Sequence, residues 1–134
     1  VHIGQRRERA REELRVGEGE GGRAGLVENG RLALEAATSR DFDVVLMDIQ
    51  MPVLSGDLAV KQVRTLERQH GWPHSFILAR SANTSDADQA YYKECGMDGC
   101  LPKAGNVARQ VTAALEAKRK SPGHFFRPDV SLMM

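Results

Sequence analysis

The sequence predicts an α/β fold in which helices cover both faces of a doubly wound parallel sheet. Short apolar runs alternate with segments of helical periodicity four times along the chain, a pattern typical of parallel strands joined by crossover helices. The run Val44–Met47 places four apolar residues in succession between two acids, which indicates a strand buried on both faces. Right-handed crossovers distribute the helices over both sides of such a sheet, and a flavodoxin-like strand order suits a chain of 134 residues.

The N-terminal part of the chain supports this fold least. Gln5–Leu14 has good helix formers and mixed charge but few apolar positions, so we predict a helix with a thin core face. Val1–Ile3 is a poorly supported first strand because it is so short. Five glycines lie in Gly17–Gly25, which predicts a flexible connector. The predicted organisation is a divergent, partly flexible segment over residues 1–25, a folded domain over 26–120 and a tail over 121–134.

The middle of the chain contains two predicted strand–helix units. Leu26–Val27 is a short strand, and a turn leads from it into a helix over Arg31–Ser39. The strand Val44–Met47 is followed by a loop and by a helix over Asp57–Gln69. Gly71–Pro73 ends that helix, because glycine and proline both interrupt helical geometry.

Two further units complete the predicted sheet. The strand Phe76–Ala79 leads to a helix that Ser85 and its neighbours can cap and that ends before Gly96, a typical residue for a helix C-terminus. The short strand Cys100–Leu101 leads to a last helix, which Asn106 caps. The tail that follows contains two adjacent phenylalanines that can dock on the domain.

Composition excludes several classes of protein. An apolar fraction of 41% suits one ordinary folded domain, and a formal net charge of +1 argues against nucleic acid and membrane surfaces as partners. No apolar stretch has the length of a spanning helix and no signal peptide opens the sequence, so we expect a cytoplasmic protein without membrane insertion. Cys95 and Cys100 are too few for a disulfide framework. We predict that both are buried thiols in a reducing compartment.

Three polar side chains follow three of the predicted strands. Asp48 ends the apolar run at Val44–Met47, Ser81 follows the run at Phe76–Ala79, and Lys103 comes shortly after Leu101. The carboxyl ends of parallel strands meet at one edge of a sheet, where open α/β folds bind their ligands. A carboxylate at the tip of a buried strand is costly unless it is paired, bound to metal or chemically used. The sequence therefore predicts a site at this edge.

This arrangement resembles the receiver domain of response regulators. Asp43–Pro52 is similar to the phospho-acceptor segment of that family, and Gly96–Gly99 is similar to the receivers of hybrid histidine kinases. The resemblance covers roughly residues 26–118 and implies a flavodoxin-like (CheY-like) fold. It further implies that Asp48 accepts a phosphoryl group from a phosphohistidine, on a histidine kinase or a histidine phosphotransfer protein. Ser81 is then the switch hydroxyl, and Lys103 the ion-pair partner of the phosphoryl group.

The resemblance also implies a Mg²⁺ ion. Its evident protein ligands are the Asp48 side chain and the Gln50 backbone carbonyl. The family supplies an acidic pair at the end of the first strand, a position expected near Ile3–Gln5, where this sequence has no acid. Because two oxygen ligands make a poor magnesium site, we expect Mg²⁺ binding to be weak or lost.

Three other positions depart from the family pattern. Cys100 stands where an aromatic residue is usual, so we expect the coupling between the switch hydroxyl and an aromatic side chain to be absent. Ala104 stands where proline usually follows the lysine, which alters the backbone that directs Lys103. Arg80 replaces a residue that is usually apolar, and its simplest interpretation is an exposed edge charge.

Three explanations fit the divergent N-terminus. The chain is a receiver that binds metal poorly, it is a fragment or altered reading frame that lacks the true first strand, or the missing acid comes from another position. The leading functional hypothesis is a phospho-accepting receiver in a phosphorelay, without catalytic activity of its own, capable of homodimerising through its last helices. The alternative is a pseudo-receiver, a protein-interaction module of the same fold without phosphorylation. A flavodoxin-like enzyme or carrier is a third class, but no glycine-rich phosphate loop supports it.

Overall fold

The computed structural model describes residues 12–17, 19, 21–28, 30–39, 41–49, 56–82 and 84–127. Strands and helices alternate over these residues, as the sequence pattern predicts. In chain order the elements are β1 Glu12–Val16, β2 Gly22–Val27, α1 Gly30–Ser39, β3 Val44–Asp48, α2 Gly56–His70, β4 Ile77–Ser81, α3 Asp86–Cys95, β5 Gly99–Pro102 and α4 Val107–Lys120. Within this described part of the chain, none of the helices is long and apolar enough to cross a membrane.

The five described strands form one mostly parallel sheet in the order β1-β2-β3-β4-β5. β2, β3, β4 and β5 are mutually parallel neighbours, whereas β1 is antiparallel to β2. The predicted flavodoxin-like α/β class is confirmed. The order of the strands differs at one edge, because a flavodoxin-like sheet places its first strand inside the sheet. Here the first of the described strands, β1, is the outer arm of a hairpin, and β2 lies directly beside β3.

The hairpin overturns two predictions for the N-terminal segment. Glu12–Val16, part of which the sequence predicts as helix, is a strand, and residues 22–25 of the predicted flexible connector belong to the strand that pairs with it. The reason is an alternation with a period of two residues: Leu14 and Val16 pack on the core, whereas Glu13 and Arg15 are exposed. Glu13 forms an ion pair of 2.7 Å with Arg23 on the neighbouring strand. This alternation matches a half-buried strand and outweighs helix propensity. The predicted strand at residues 1–3 lies outside the described residues.

Glycine in β2 permits close packing rather than flexibility. A Cβ atom built at Gly25 would lie 3.0 Å from the ring of Phe42, and one built at Gly22 would lie 2.9 Å from the carbonyl oxygen of Val16. Positive φ angles occur instead in the hairpin turn, at Gly17 and Gly19. The glycine-rich composition therefore encodes a tight hairpin beside a bulky ring.

Two apolar clusters lie on opposite faces of the sheet. Val45 and Met47 point toward α1, α2 and α3, while Val44 and Leu46 point toward α4. The predicted burial of this strand on both faces is confirmed. Both cysteines are buried and reduced, and burial raises the pKa of the Cys100 thiol to about 11, so this thiol stays protonated at neutral pH.

Local capping signals also function as predicted. Ser85 is the N-cap of α3 and accepts a hydrogen bond of 3.2 Å from the Asp88 amide, and Gly96 ends the helix with a left-handed φ of 108°. Asn106 caps α4 by accepting a hydrogen bond of 3.0 Å from the Arg109 amide. These caps fix the entry and exit of the two helices that lie nearest to β5 in the chain.

The start of the tail docks on the outer edge of the sheet. Phe126 forms a parallel bridge with Gly99, and its carbonyl accepts a hydrogen bond of 2.9 Å from the Cys100 amide. Phe125 is buried beside the apolar cluster. A Cβ atom at Gly99 would lie 2.7 Å from the Cβ of Phe126, so only glycine admits this contact. The tail thereby covers part of an edge that would otherwise expose unpaired backbone groups.

A charged cluster ties α2 to the amino-terminal end of β4, opposite the predicted site. Arg64 forms ion pairs of 2.9 Å with both Glu67 and Asp98. Asp98 also accepts a hydrogen bond of 2.8 Å from the Ile77 amide, and Glu67 accepts one of 2.7 Å from the Ser75 amide. Burial would raise the pKa of Glu67, but the Ser75 amide and the Arg64 guanidinium outweigh it and hold that pKa below 4.5.

We predict that Glu67→Gln removes an acid-sensitive part of the folding stability. A carboxylate with a lowered pKa stabilises the fold above its usual pKa, and this contribution is lost as the pH falls through the folded value. We therefore expect the variant to lose about 1.5–3 kcal/mol at pH 7, the range for hydrogen bonds to charged groups, and less at pH 3. Urea unfolding at both pH values measures this. Glu94→Gln, on an exposed position of α3, should show neither effect, and an equal loss at both pH values would contradict the assignment.

Candidate functional site

The three predicted residues lie at the carboxyl edge of the sheet. Asp48 ends β3, Ser81 ends β4, and Lys103 directly follows β5. The Lys103 Nζ atom lies 3.1 Å from Asp48 Oδ1, with each side chain about one third exposed (34% and 33%). The neighbouring strands align Asp48 with Arg80, and Ser81 with Pro102. The structure thus joins the carboxylate and the ammonium group directly and places the hydroxyl on the strand between them.

The Lys103 loop is held by the last helix. Gln110 in α4 is buried, and its Nε2 donates a hydrogen bond of 2.7 Å to the carbonyl oxygen of Ala104. Pro102 is buried as the final residue of β5, so the loop turns outward just before the lysine. This hydrogen bond ties the loop that carries Lys103 to α4.

Ser81 is buried and has an aromatic neighbour. The Tyr92 hydroxyl on α3 donates a hydrogen bond of 3.0 Å to Ser81 Oγ, and both side chains are at most 4% exposed. Burial raises the pKa of Tyr92, so its hydroxyl remains a donor at neutral pH. The usual aromatic position is occupied by Cys100, yet Ser81 has an aromatic partner. Cys100 does not supply one, but the helix on the same face of the sheet does. The spacing of Gln89, Tyr92 and Cys95, each three residues apart, could have identified Tyr92 as inward-facing.

Two charged residues at this edge were not predicted as parts of the site. Arg80 is the partner of Asp48 in the strand register, so both side chains project from the same face of the sheet. It is half-buried rather than an exposed edge charge, and its Nη2 donates a long hydrogen bond of 3.5 Å to the Lys103 carbonyl. Glu28 directly follows Val27, which pairs with Met47, so this exposed acid lies at the strand end next to Asp48.

The oxygen ligands at this edge fit a hard cation only in part. Carboxylates from Asp48 and Glu28 end adjacent strands, and carboxylates are the groups that Mg²⁺ selects. One Asp48 oxygen already contacts Lys103, however, and no group of three or more potential ligands (His, Cys, Asp or Glu) occurs among the described residues. Gln50, whose carbonyl was predicted as a ligand, lies outside them.

Comparisons with known proteins agree with this geometry. A family model described as the response regulator receiver domain matches residues 7–115. Hybrid signal transduction histidine kinase A of Dictyostelium discoideum is 43% identical over 84 residues, which are 62% of this chain and 4% of that protein. The chain thus corresponds to only a small part of that much longer relative. The chain belongs to the response regulator receiver domain family, and the predicted similarity to the receivers of hybrid histidine kinases is confirmed.

Two solved structures show the same fold. One is a co-crystal structure of the Saccharomyces cerevisiae histidine phosphotransfer protein Ypd1 with the receiver domain of the response regulator Ssk1. It has a TM-score of 0.58 and 28% identity, covering 69% of this chain and 70% of that one. The other is the receiver domain of the Arabidopsis thaliana histidine kinase CKI1 complexed with Mg²⁺ and BeF₃⁻. It has a TM-score of 0.54 and 26% identity, covering 69% of this chain and 66% of that one.

We predict that Tyr92→Phe destabilises the domain by about 0.5–1.5 kcal/mol, the net value of one buried hydrogen bond. The ring and its packing remain, so the change isolates the bond to Ser81. Urea unfolding with unchanged circular dichroism provides the measurement. Tyr91→Phe is the matched control because its ring is 49% exposed on the same helix. Equal stability of the two variants would show that the hydrogen bond contributes nothing.

Proposed function

We propose that this chain accepts a phosphoryl group from a phosphohistidine onto Asp48. The observation that carries the proposal is the 3.1 Å contact between Lys103 and Asp48 at the edge where Ser81 ends the adjacent strand. Phosphoryl transfer needs in-line positioning and neutralised oxygen charge more than covalent help. A nucleophilic carboxylate with a cation beside it and a hydroxyl one strand away supplies both.

The transfer is a displacement at phosphorus. An Asp48 oxygen attacks in line, the phosphorus–nitrogen bond to the donor histidine breaks, and the departing imidazole nitrogen keeps the electron pair. Lys103 then pairs with a phosphoryl oxygen as a point charge. Ser81 can accept from Tyr92 and still donate its own proton toward the phosphoryl group, because a hydroxyl offers one donor and two lone pairs. Such hydrogen bonds in series strengthen one another.

We propose that Mg²⁺ binds this site weakly. When bound, the ion would neutralise charge on the phosphoryl oxygens. Asp48, the Gln50 carbonyl and Glu28 are the residues that would hold it. Glu28 replaces the expected acidic pair with a single carboxylate, which corresponds to the explanation that the missing acid comes from another position.

The proposed donor is a histidine kinase or a histidine phosphotransfer protein. The similarity to the receiver domain complexed with Ypd1 and to hybrid histidine kinases supports this. We place the chain as a cytoplasmic phosphorelay module, with any kinase activity in another domain, and its last helices as the surface for homodimers. The pseudo-receiver alternative is favoured by one observation, the small number of acids at the described edge of the sheet.

We predict that acetyl phosphate labels the wild-type chain and that Asp48→Asn abolishes the label. The amide removes the nucleophile and keeps the shape of the side chain. The measurement is radiolabel incorporation with a hydroxylamine test for an acyl phosphate, at several Mg²⁺ concentrations and in EDTA. Asp86→Asn, an exposed acid at the start of α3, should be labelled normally. Folded wild-type protein that takes no label at any Mg²⁺ concentration would establish the pseudo-receiver instead.

We further predict that Glu28→Gln raises the Mg²⁺ concentration for half-maximal labelling roughly tenfold, the equivalent of about 1.4 kcal/mol. Losing one carboxylate from so small a ligand set weakens the attraction for a divalent cation. Calorimetric titration compares the Mg²⁺ affinity of the variant with that of the wild type without any phosphorylation step. The exposed Glu94→Gln is the charge-matched control, and identical Mg²⁺ dependence of both variants would exclude Glu28 as a ligand.

A further inference from the structure

A second cation lies beside Asp48 on the neighbouring strand. Asp48 and Arg80 are register partners, and the Arg80 guanidinium reaches the backbone of Lys103, whose ammonium group is 3.1 Å from Asp48 Oδ1. Arginine and lysine therefore approach the edge from β4 and from the end of β5. The Asp48 carboxylate therefore has Arg80 and Lys103 on one side and the acid Glu28 on the other.

The guanidinium is not satisfied by the protein around it. The Arg80 Nε atom is buried without a hydrogen-bond partner, and the bond from Nη2 to the Lys103 carbonyl is long at 3.5 Å. A buried charged donor left without a partner costs free energy. If Arg80 served only to hold the Lys103 loop in place, we would expect a short hydrogen bond, such as the 2.7 Å bond that Gln110 donates to the Ala104 carbonyl. The guanidinium charge therefore lacks a strong acceptor in the protein, and its Nη2 atom, held only by the long bond, can bind an anion at the same edge.

We propose that Arg80 is a second phosphoryl-binding residue, which supplies part of the charge neutralisation that a divalent cation provides in other receivers. This inference rests on the proposed function of Asp48. The planar guanidinium matches the geometry of phosphoryl oxygens and can bind two of them at once. It remains charged at every physiological pH. Phosphorylation of Asp48 is then less dependent on Mg²⁺ than it would be without the positive charge of Arg80.

The proposed role of Arg80 does not change the phosphoryl-transfer step itself. With acetyl phosphate, an Asp48 oxygen forms the new bond to phosphorus, the bond from phosphorus to the acetate oxygen breaks, and acetate leaves with the electron pair. Arg80 donates hydrogen bonds to the phosphoryl oxygens, whose negative charge Lys103 shares. No oxidant, reductant or further reactant takes part. A donor of this kind contributes roughly 10²–10³-fold to rate where it acts on developing charge.

The test measures labelling by acetyl phosphate in EDTA and in saturating Mg²⁺ for the wild type, Arg80→Leu and Arg80→Lys. Arg68→Leu removes the same charge from an exposed position on α2 and is the matched control. We expect labelling in EDTA for the wild type and for Arg68→Leu. In EDTA, Arg80→Leu should lose at least tenfold in rate and Arg80→Lys should regain part of it. A smaller loss is expected in Mg²⁺. Equal rates in EDTA for Arg80→Leu and Arg68→Leu would overturn the inference and leave the proposed function intact.

A second measurement separates this inference from the proposed function. Inorganic phosphate is titrated into the folded variants, and the shift in thermal midpoint is recorded. We expect the shift to be present in the wild type and Arg68→Leu, absent in Arg80→Leu and partial in Arg80→Lys. If no variant is labelled but this pattern holds, Arg80 forms an anion site in a pseudo-receiver. If phosphate stabilises none of the variants, or all equally, the inference fails whatever the labelling shows.

Discussion

The parallel pairing of β3 with both of its neighbours is the constraint on which the site depends. β3 carries apolar side chains to both faces of the sheet, so it can be stable only between two strands and two layers of helices. Parallel neighbours bring their carboxyl ends to one edge. Asp48 is therefore held beside the ends of β2 and β4, and every other group of the site is defined by its position relative to that carboxylate.

The hairpin satisfies this constraint in an unusual way. β2 pairs with β3 directly, and its outer edge is covered by an antiparallel strand from the N-terminal segment. The side of β3 opposite β4 is thus covered by the hairpin. The same pairing brings Glu28 to the position next to Asp48. One topological feature therefore explains both how the sheet closes and why Glu28 lies beside Asp48.

Much of this architecture could be predicted because its signals are local. Four consecutive apolar residues identify β3, and the capping side chains of Ser85 and Asn106 mark helix starts within one turn of sequence. The hairpin could not be predicted in the same way. Its strands are short, and its glycines resemble those of a linker. Its apolar positions can be assigned to the core only once the pairing of the two strands, with the ion pair between Glu13 and Arg23, is known.

The charged groups of the site show the same limit of prediction from the sequence alone. Asp48, Ser81 and Lys103 were found because each follows an apolar run, which is a property of the sequence. Arg80 lies inside a strand, and its relation to Asp48 depends on the register between two strands. Register is set by tertiary packing, so a sequence pattern alone cannot show which two side chains share a face.

The charged side chains around Asp48 balance one another electrostatically. With one further acid and an additional guanidinium, the described edge carries two negative and two positive side chains, Asp48 and Glu28 against Lys103 and Arg80. Compared with an edge of net negative charge, this edge attracts a cation less strongly and an anionic phosphoryl group more strongly.

The buried hydroxyl pair provides a path from this edge to a helix. Ser81 belongs to the sheet and Tyr92 to α3, and their 3.0 Å bond is closed to solvent. If Ser81 turned toward a phosphoryl group and broke that bond, the buried Tyr92 hydroxyl would lose this hydrogen bond, at a cost of about 0.5–1.5 kcal/mol. Keeping the bond is therefore favourable, and it requires Tyr92 to follow the serine. Because Tyr92 is fixed on α3, a displacement of Ser81 is transmitted to that helix, whose adjacent residue Tyr91 is exposed to solvent.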